Sequence, residues 1–200
     1  DCMGCGWVLE DTDYTKITAI EIVNVGYVNM PIGKAHIDFW EQKLNEGYNI
    51  TGIGGSDNHR ATRGITQPSA IGNPRTWIFA NDLSVASLIE GIRSGKAYVD
   101  ASGGGVRLLN FSVGEMEMGG ELAVTEGPIA LRLGWQSDET LKPVVIHQGE
   151  VLSLNNQTFG DASYRGYVDL SSLTLPGWIR VNLVDENGAI RLLANPVYLT

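Results

Sequence analysis

The feature that most constrains this chain is a change of rhythm at Ala101-Ser102-Gly103-Gly104-Gly105. Before it, short apolar runs alternate with segments of helical period; after it, helical period disappears. Residues 17–24 (ITAIEIVN) are β-branched and apolar, as a buried strand requires. A loop with Gly26, Pro31 and Gly33 follows. Ile37, Trp40 and Leu44 then stand at i, i+3 and i+7, one helical face, and Gly47 sits where a C-terminal cap belongs. YNITGIGG (48–55) reads as a second buried strand, 60–76 as a polar loop and TWIFA (76–80) as a short strand. Ser84 is placed to cap a helix carrying Val85, Leu88, Ile89 and Ile92, ended by Gly95. This order predicts a parallel α/β architecture, a barrel or an open doubly wound sheet, over residues 1–103.

From residue 104 onward the apolar runs are short and several alternate with polar residues. They are VRLLNFSV, IALRLGW, PVVIHQG, SYRGYVDL, GWIRVNLVD and AIRLLANPVYL, separated by turn signals such as Asp185-Glu186-Asn187-Gly188. That spacing predicts an independent antiparallel β-sandwich over 104–200. The formal charge is −9, with both halves acidic and no basic tract, which argues against a nucleic-acid partner. No apolar run approaches the roughly 20 residues of a membrane span.

The densest chemistry lies in Gly54-Gly55-Ser56-Asp57-Asn58-His59, just past the end of the second expected strand. In parallel α/β sheets functional groups collect at the C-terminal ends of strands. Carboxylate oxygen and imidazole nitrogen suit Zn, Mn or Fe, and positions i and i+2 of a turn can face one cavity. The competing reading is a capping aspartate beside an exposed histidine. Of the three histidines, His36 reads as a surface residue at the start of a helix and His147 as structural. Glu21 and Asn24 lie at and beyond the first strand's end, with Asn24 the better placed to support a ligand from behind. Trp7 and Trp40 are core or pocket wall. Cys2 and Cys5 form a CxxC that is half a zinc site, a redox pair or a local disulfide, a plain turn with uninvolved thiols being favoured.

The run from ITAIEIVN through FWEQKLNEGYNITGIGGSDNHR to LIEGIRSGKAYV resembles the second half of the PHP (polymerase and histidinol phosphatase) metallohydrolases. Its carbaryl-hydrolase-like branch is the most similar. The resemblance implies a fold: the latter part of a distorted (β/α)7 barrel, followed by a small β-sandwich. It also implies a cluster of two or three divalent metal ions (Zn, Mn or Fe), with Asp57 and His59 among the ligands and catalytic groups. The family's upstream histidine motifs have no counterpart here, so the remaining ligands are expected from a separate N-terminal part of the same enzyme.

The activity implied is hydrolysis of a small phosphate ester by metal-activated water, with a carbamate or ester substrate as the alternative. Ser56 could orient Asp57, or be a plain turn serine. Arg60 and Arg63 could grip an anionic leaving group, or be solvated loop residues. A rival of a different class is a non-catalytic binding module built on a degenerate barrel. An acidic enzyme of this type suits a secreted or periplasmic bacterial setting.

Overall fold

The computed structural model describes residues 9, 11–62, 64, 67 and 69–200. The chain begins with a βαβ unit: β1 (Ala19–Asn24), α1 (Pro31–Asn45) and β2 (Thr51–Gly55), the two strands pairing in parallel from Ala19↔Thr51 to Asn24↔Gly55. Helix α1 starts earlier than the apolar spacing predicts. Pro31 occupies its first turn, where a missing N–H costs nothing, so Pro31 and Gly33 are helical and His36 lies inside the helix. Trp40 is fully buried on its inner face and donates from Nε1 to Ile50 O at 2.7 Å.

The barrel expectation fails after β2. Among the described residues no helix separates β2 from β3 (Arg75–Ile78), and α2 (Val85–Arg93) leads to β4 (Ala97–Asp100), which pairs antiparallel with β3. The described residues hold two α-helices and mostly strand, and the fold is not a (β/α)7 barrel. The physical reason lies in partner choice. A barrel closes through successive parallel strands, whereas β4 takes β14 (Ile190–Ala194) as its other neighbour, also antiparallel.

The remaining strands are β5 (Val106–Val113), β6 (Met116–Glu117), β7 (Glu121–Leu122), β8 (Ile129–Ser137), β9 (Lys142–His147), β10 (Glu150–Val151), β11 (Asn155–Gly160), β12 (Ser163–Val168), β13 (Gly177–Val184) and β15 (Val197–Leu199). They build two sheets. One runs β11-β12-β8-β5-β6; the other runs β10-β9-β13-β14-β4-β3, with β15 pairing β13 and β7. The expected boundary at 103/104 falls in the bend between β4 and β5, and the second sheet draws strands from both sides of it.

That second sheet is the middle layer of three. Along β13 the residues alternate: Ile179, Val181 and Leu183 join Leu108, Leu131 and Trp135 of the facing sheet in one core. Trp178 points the other way, with Val99, Ile146 and Leu193, against Ile22, Ile37, Trp40 and Leu44 of β1 and α1. The βαβ unit therefore covers the back of the sheet. On the same back face, Arg180 donates to Glu41 of α1 (Nε to Oε1 at 2.8 Å) and to Asn182 Oδ1 at 2.6 Å, all three residues being buried. No helix among the described residues is long and apolar enough to cross a membrane.

Candidate functional site

Two side chains join β2 to the middle sheet. The carboxamide of Asn195, 1% exposed, accepts from Gly52 N at 2.7 Å and donates to Gly52 O at 2.9 Å and Ala97 O at 2.6 Å. The Thr76 hydroxyl accepts from Gly54 N and donates to Gly54 O, both at 2.8 Å. A Cβ on Gly54 would come within 2.6 Å of Val99 Cγ1, so only glycine allows β2 so close. Gly52 thus lies by Ala97 and Gly54 by Val99, and β2 and β4 run the same way. The C-terminal ends of β1, β2 and β4 come to one end of the molecule.

At that end the chain leaves β2 through Ser56 into Asp57, which has φ +47°. Val25, directly after β1, has φ +54° and gives its N–H to Gly55 O at 3.1 Å. A β-branched residue in the left-handed region is a clear outlier, and an aspartate there is uncommon. Both sit at the same end of one strand pair. Strain of this kind, about 1–3 kcal/mol per residue, concentrates at functional sites.

Asp57 Oδ1 and His59 Nε2 lie 2.9 Å apart, both residues exposed. Between them Asn58 points inward: Nδ2 donates to Ser69 O and Oδ1 accepts from Arg60 N at 3.1 Å, which pins the loop. Asn24 Nδ2 donates to Glu21 Oε1 at 2.8 Å, and the Glu21 carboxylate flanks Gly55, whose Cβ, if it had one, would lie 3.2 Å from Oε2. The expected support by Asn24 is thus directed at Glu21. Ser56 makes no side-chain hydrogen bond to Asp57 among the described residues. Arg60 is exposed. Arg63, Trp7, Cys2 and Cys5 lie outside the described residues. His147 is buried in the middle sheet: Nδ1–H donates to Trp178 O at 2.9 Å, and Nε2 accepts from Thr174 N at 3.0 Å, which fixes the neutral tautomer as a structural brace.

One carboxylate at this end escapes a reading of the sequence. Asp100, at the end of β4, is fully buried. Its Oδ1 accepts from Ser102 N at 2.9 Å, and among the described residues Oδ2 has no hydrogen-bond partner, Arg75 Nε lying 3.9 Å away. Arg75 donates to Gly72 O at 2.6 Å and to Gly103 O at 2.5 Å, tying the loop after the candidate ligands to the glycine-rich bend. An aspartate ending an apolar strand before Ser-Gly-Gly-Gly is the only sequence signal, and it reads equally as a turn.

Two ligands bound about 2.0–2.2 Å from one ion at 90–110° have donor atoms roughly 3 Å apart. The Asp57–His59 separation of 2.9 Å matches two adjacent corners of such a site. Among the described residues no group of three His, Cys, Asp or Glu side chains could hold a metal ion together. No family model, curated protein or solved structure matches this chain.

Proposed function

We propose that this chain carries part of a divalent-metal hydrolytic site, and that the reaction is hydrolysis of a small phosphate ester. The observation that carries it is the oxygen–nitrogen pair of Asp57 and His59 at ligand spacing, presented by a strained residue at the C-terminal end of a parallel strand pair. A bound Zn, Mn or Fe ion would polarise the phosphoryl oxygen and bring a bound water's pKa toward neutrality. The chain's own residues do the rest. Asp57 and His59, now hydrogen-bonded to each other at 2.9 Å, would hold the ion through the same oxygen and nitrogen atoms. Asn58 holds the loop to Ser69 O, so the ligands arrive preorganised. Arg60 offers a guanidinium to the anionic ester.

The test is calorimetric titration of the whole chain with Zn and Mn, alongside turnover of an aryl phosphate and an aryl carbamate. Asp57→Asn and His59→Ala should each weaken metal affinity by more than about 10–100-fold, the loss typical of removing a mere supporting contact. Unchanged affinity in both variants would reduce the loop to an ordinary turn. Metal binding with carbamate turnover alone would transfer the reading to the carbamate hydrolase.

A further inference from the structure

A cavity of about 400 Å³ opens at the other end of β3 and β4. It lies between the segment leaving β3 (Phe79, Asn81), Lys96 before β4, Leu109 and Asn110 of β5, and Glu117 of β6. Small-ligand pockets run roughly 300–1,000 Å³ and favour junctions between structural units. This one is at the low end of that range, enough for one or two sugar rings. We propose that it is a binding site for a neutral carbohydrate residue, a function separate from the hydrolytic reading.

Three observations converge. First, Phe79 and Leu109 are 40% and 56% exposed, a large apolar surface left open in a cavity rather than covered. The Phe79 ring is held in place. It leans on Tyr98 at 5.8 Å, Tyr98 stacks on Trp77 at 6.3 Å and 12°, and the Arg107 guanidinium lies 5.2 Å from the Trp77 ring. Such a preset platform suits the C–H face of a pyranose ring, because little side-chain freedom remains to be lost on binding.

Second, the polar lining is uncommitted. The side chains of Asn81, Lys96, Asn110 and Glu117 make no hydrogen bond or ion pair among the described residues. Lys96 and Glu117 contribute one charge of each sign, so the cavity lining carries no net charge to favour a phosphate or a metal ion. Two carboxamides, an ammonium and a carboxylate together supply the mixture of donors and acceptors that vicinal hydroxyls require.

Third, the two sides are locked together by backbone. Gly95 and Gly119 have φ +69° and +83°, and a Cβ on Gly119 would fall 1.9 Å from Ser94 O. Only glycine at this contact lets the β5–β6 hairpin approach the end of α2 and close the cavity floor over Phe111 and Met118. Lys96 and Glu117 follow and precede these glycines by one and two residues.

The experiment uses the whole chain and follows ring proton shifts and calorimetric heats. The probes are neutral hexoses and their disaccharides, with inorganic phosphate and glycine as charged controls. Saturable millimolar or tighter binding of at least one neutral sugar is expected. Phe79→Ala should weaken it at least tenfold, and Lys96→Ala and Glu117→Gln severalfold each. Because Phe79 is partly exposed, the variant should retain the native circular dichroism spectrum; if it does not, Leu109→Ala takes its place, with the same expected loss. Failure of every sugar to saturate, undiminished binding in the folded variant, or tighter binding of phosphate or glycine would overturn the proposal. None of these outcomes bears on Asp57 and His59, which lie at the opposite end of β4.

Discussion

At the residue scale, Asp57 carries opposing demands. Its left-handed backbone costs folding free energy, while its carboxylate pairs with His59 Nε2 at 2.9 Å and is the proposed metal ligand. Asp57→Gly should therefore raise the thermal midpoint, by relief of about 1 kcal/mol, while removing the proposed metal ligand. Asp57→Asn, which tolerates the same φ, should leave the midpoint nearly unchanged. A fall in midpoint for the glycine variant would show that the carboxylate stabilises the loop by itself. Tyr98 makes a different prediction. Burial pushes its hydroxyl up to about 12. Below the ordinary value near 10 both the folded and unfolded states keep the proton, and stability is unaffected. Between about 10 and 12 only the unfolded state loses it, so stability falls as pH rises, by up to about 2–3 kcal/mol at pH 12. Tyr98→Phe should remove that part of the alkaline slope in urea melts recorded from pH 9 to 12.

At the scale of elements, the contacts that hold the candidate site are made by side chains acting as strand edges. Asn195 presents a donor and an acceptor to the backbone of Gly52, as a neighbouring strand would. Asn195→Leu keeps the volume and strands the buried Gly52 N–H, Gly52 C=O and Ala97 C=O. At about 1–3 kcal/mol for each unsatisfied group, it should be among the most destabilising substitutions in the chain. Amide exchange at Gly52 should quicken more than at residues of β8, and equal protection at both would dismiss the contact as incidental. These contacts also explain what a reader of the sequence can and cannot see. The strands from ITAIEIVN to AIRLLANPVYL announce themselves by β-branched apolar runs, and Ser84 caps α2 through its bond from Ser87 N at 3.1 Å. β11 has all six residues exposed at a sheet edge, so it carries no apolar pattern to read. In GWIRVNLV the alternation is real, yet polar residues at every second position signal either solvent or a polar seam between layers. Here Arg180 and Asn182 meet Glu41, a partner 139 residues from Arg180, which no local pattern reveals. Asp57 and His59 are legible as a pair because they stand two residues apart in one loop. Asp100 is not, because its place at the same end depends on β4 lying beside β2.

At the scale of the whole molecule, the middle sheet is buried on both faces, so neither half of the chain completes its own core. Residues 104–200 expressed alone would keep the core between the two sheets and lose β3 and β4 from one edge. They would also bare Ile146, Trp178 and Leu193 on the back, where β1 and α1 normally lie. Arg180, 2% exposed in the intact chain, would lose the carboxylate that compensates its burial, which ordinarily costs about 3–5 kcal/mol. The exposed back would regain solvent for the guanidinium but leave a contiguous apolar patch and an open sheet edge, both of which favour association. The fragment should therefore show a β-type circular dichroism spectrum, bind a hydrophobic dye and self-associate. Its urea transition should be broader and earlier than that of the intact chain. Glu41→Gln in the intact chain isolates the charge component: it should lower stability by about 3–5 kcal/mol without exposing the patch, so the dye should stay unbound. A monomeric 104–200 fragment with a sharp transition matching the intact chain would mean that the facing sheets alone determine stability and that the βαβ layer is an addition to a finished sandwich.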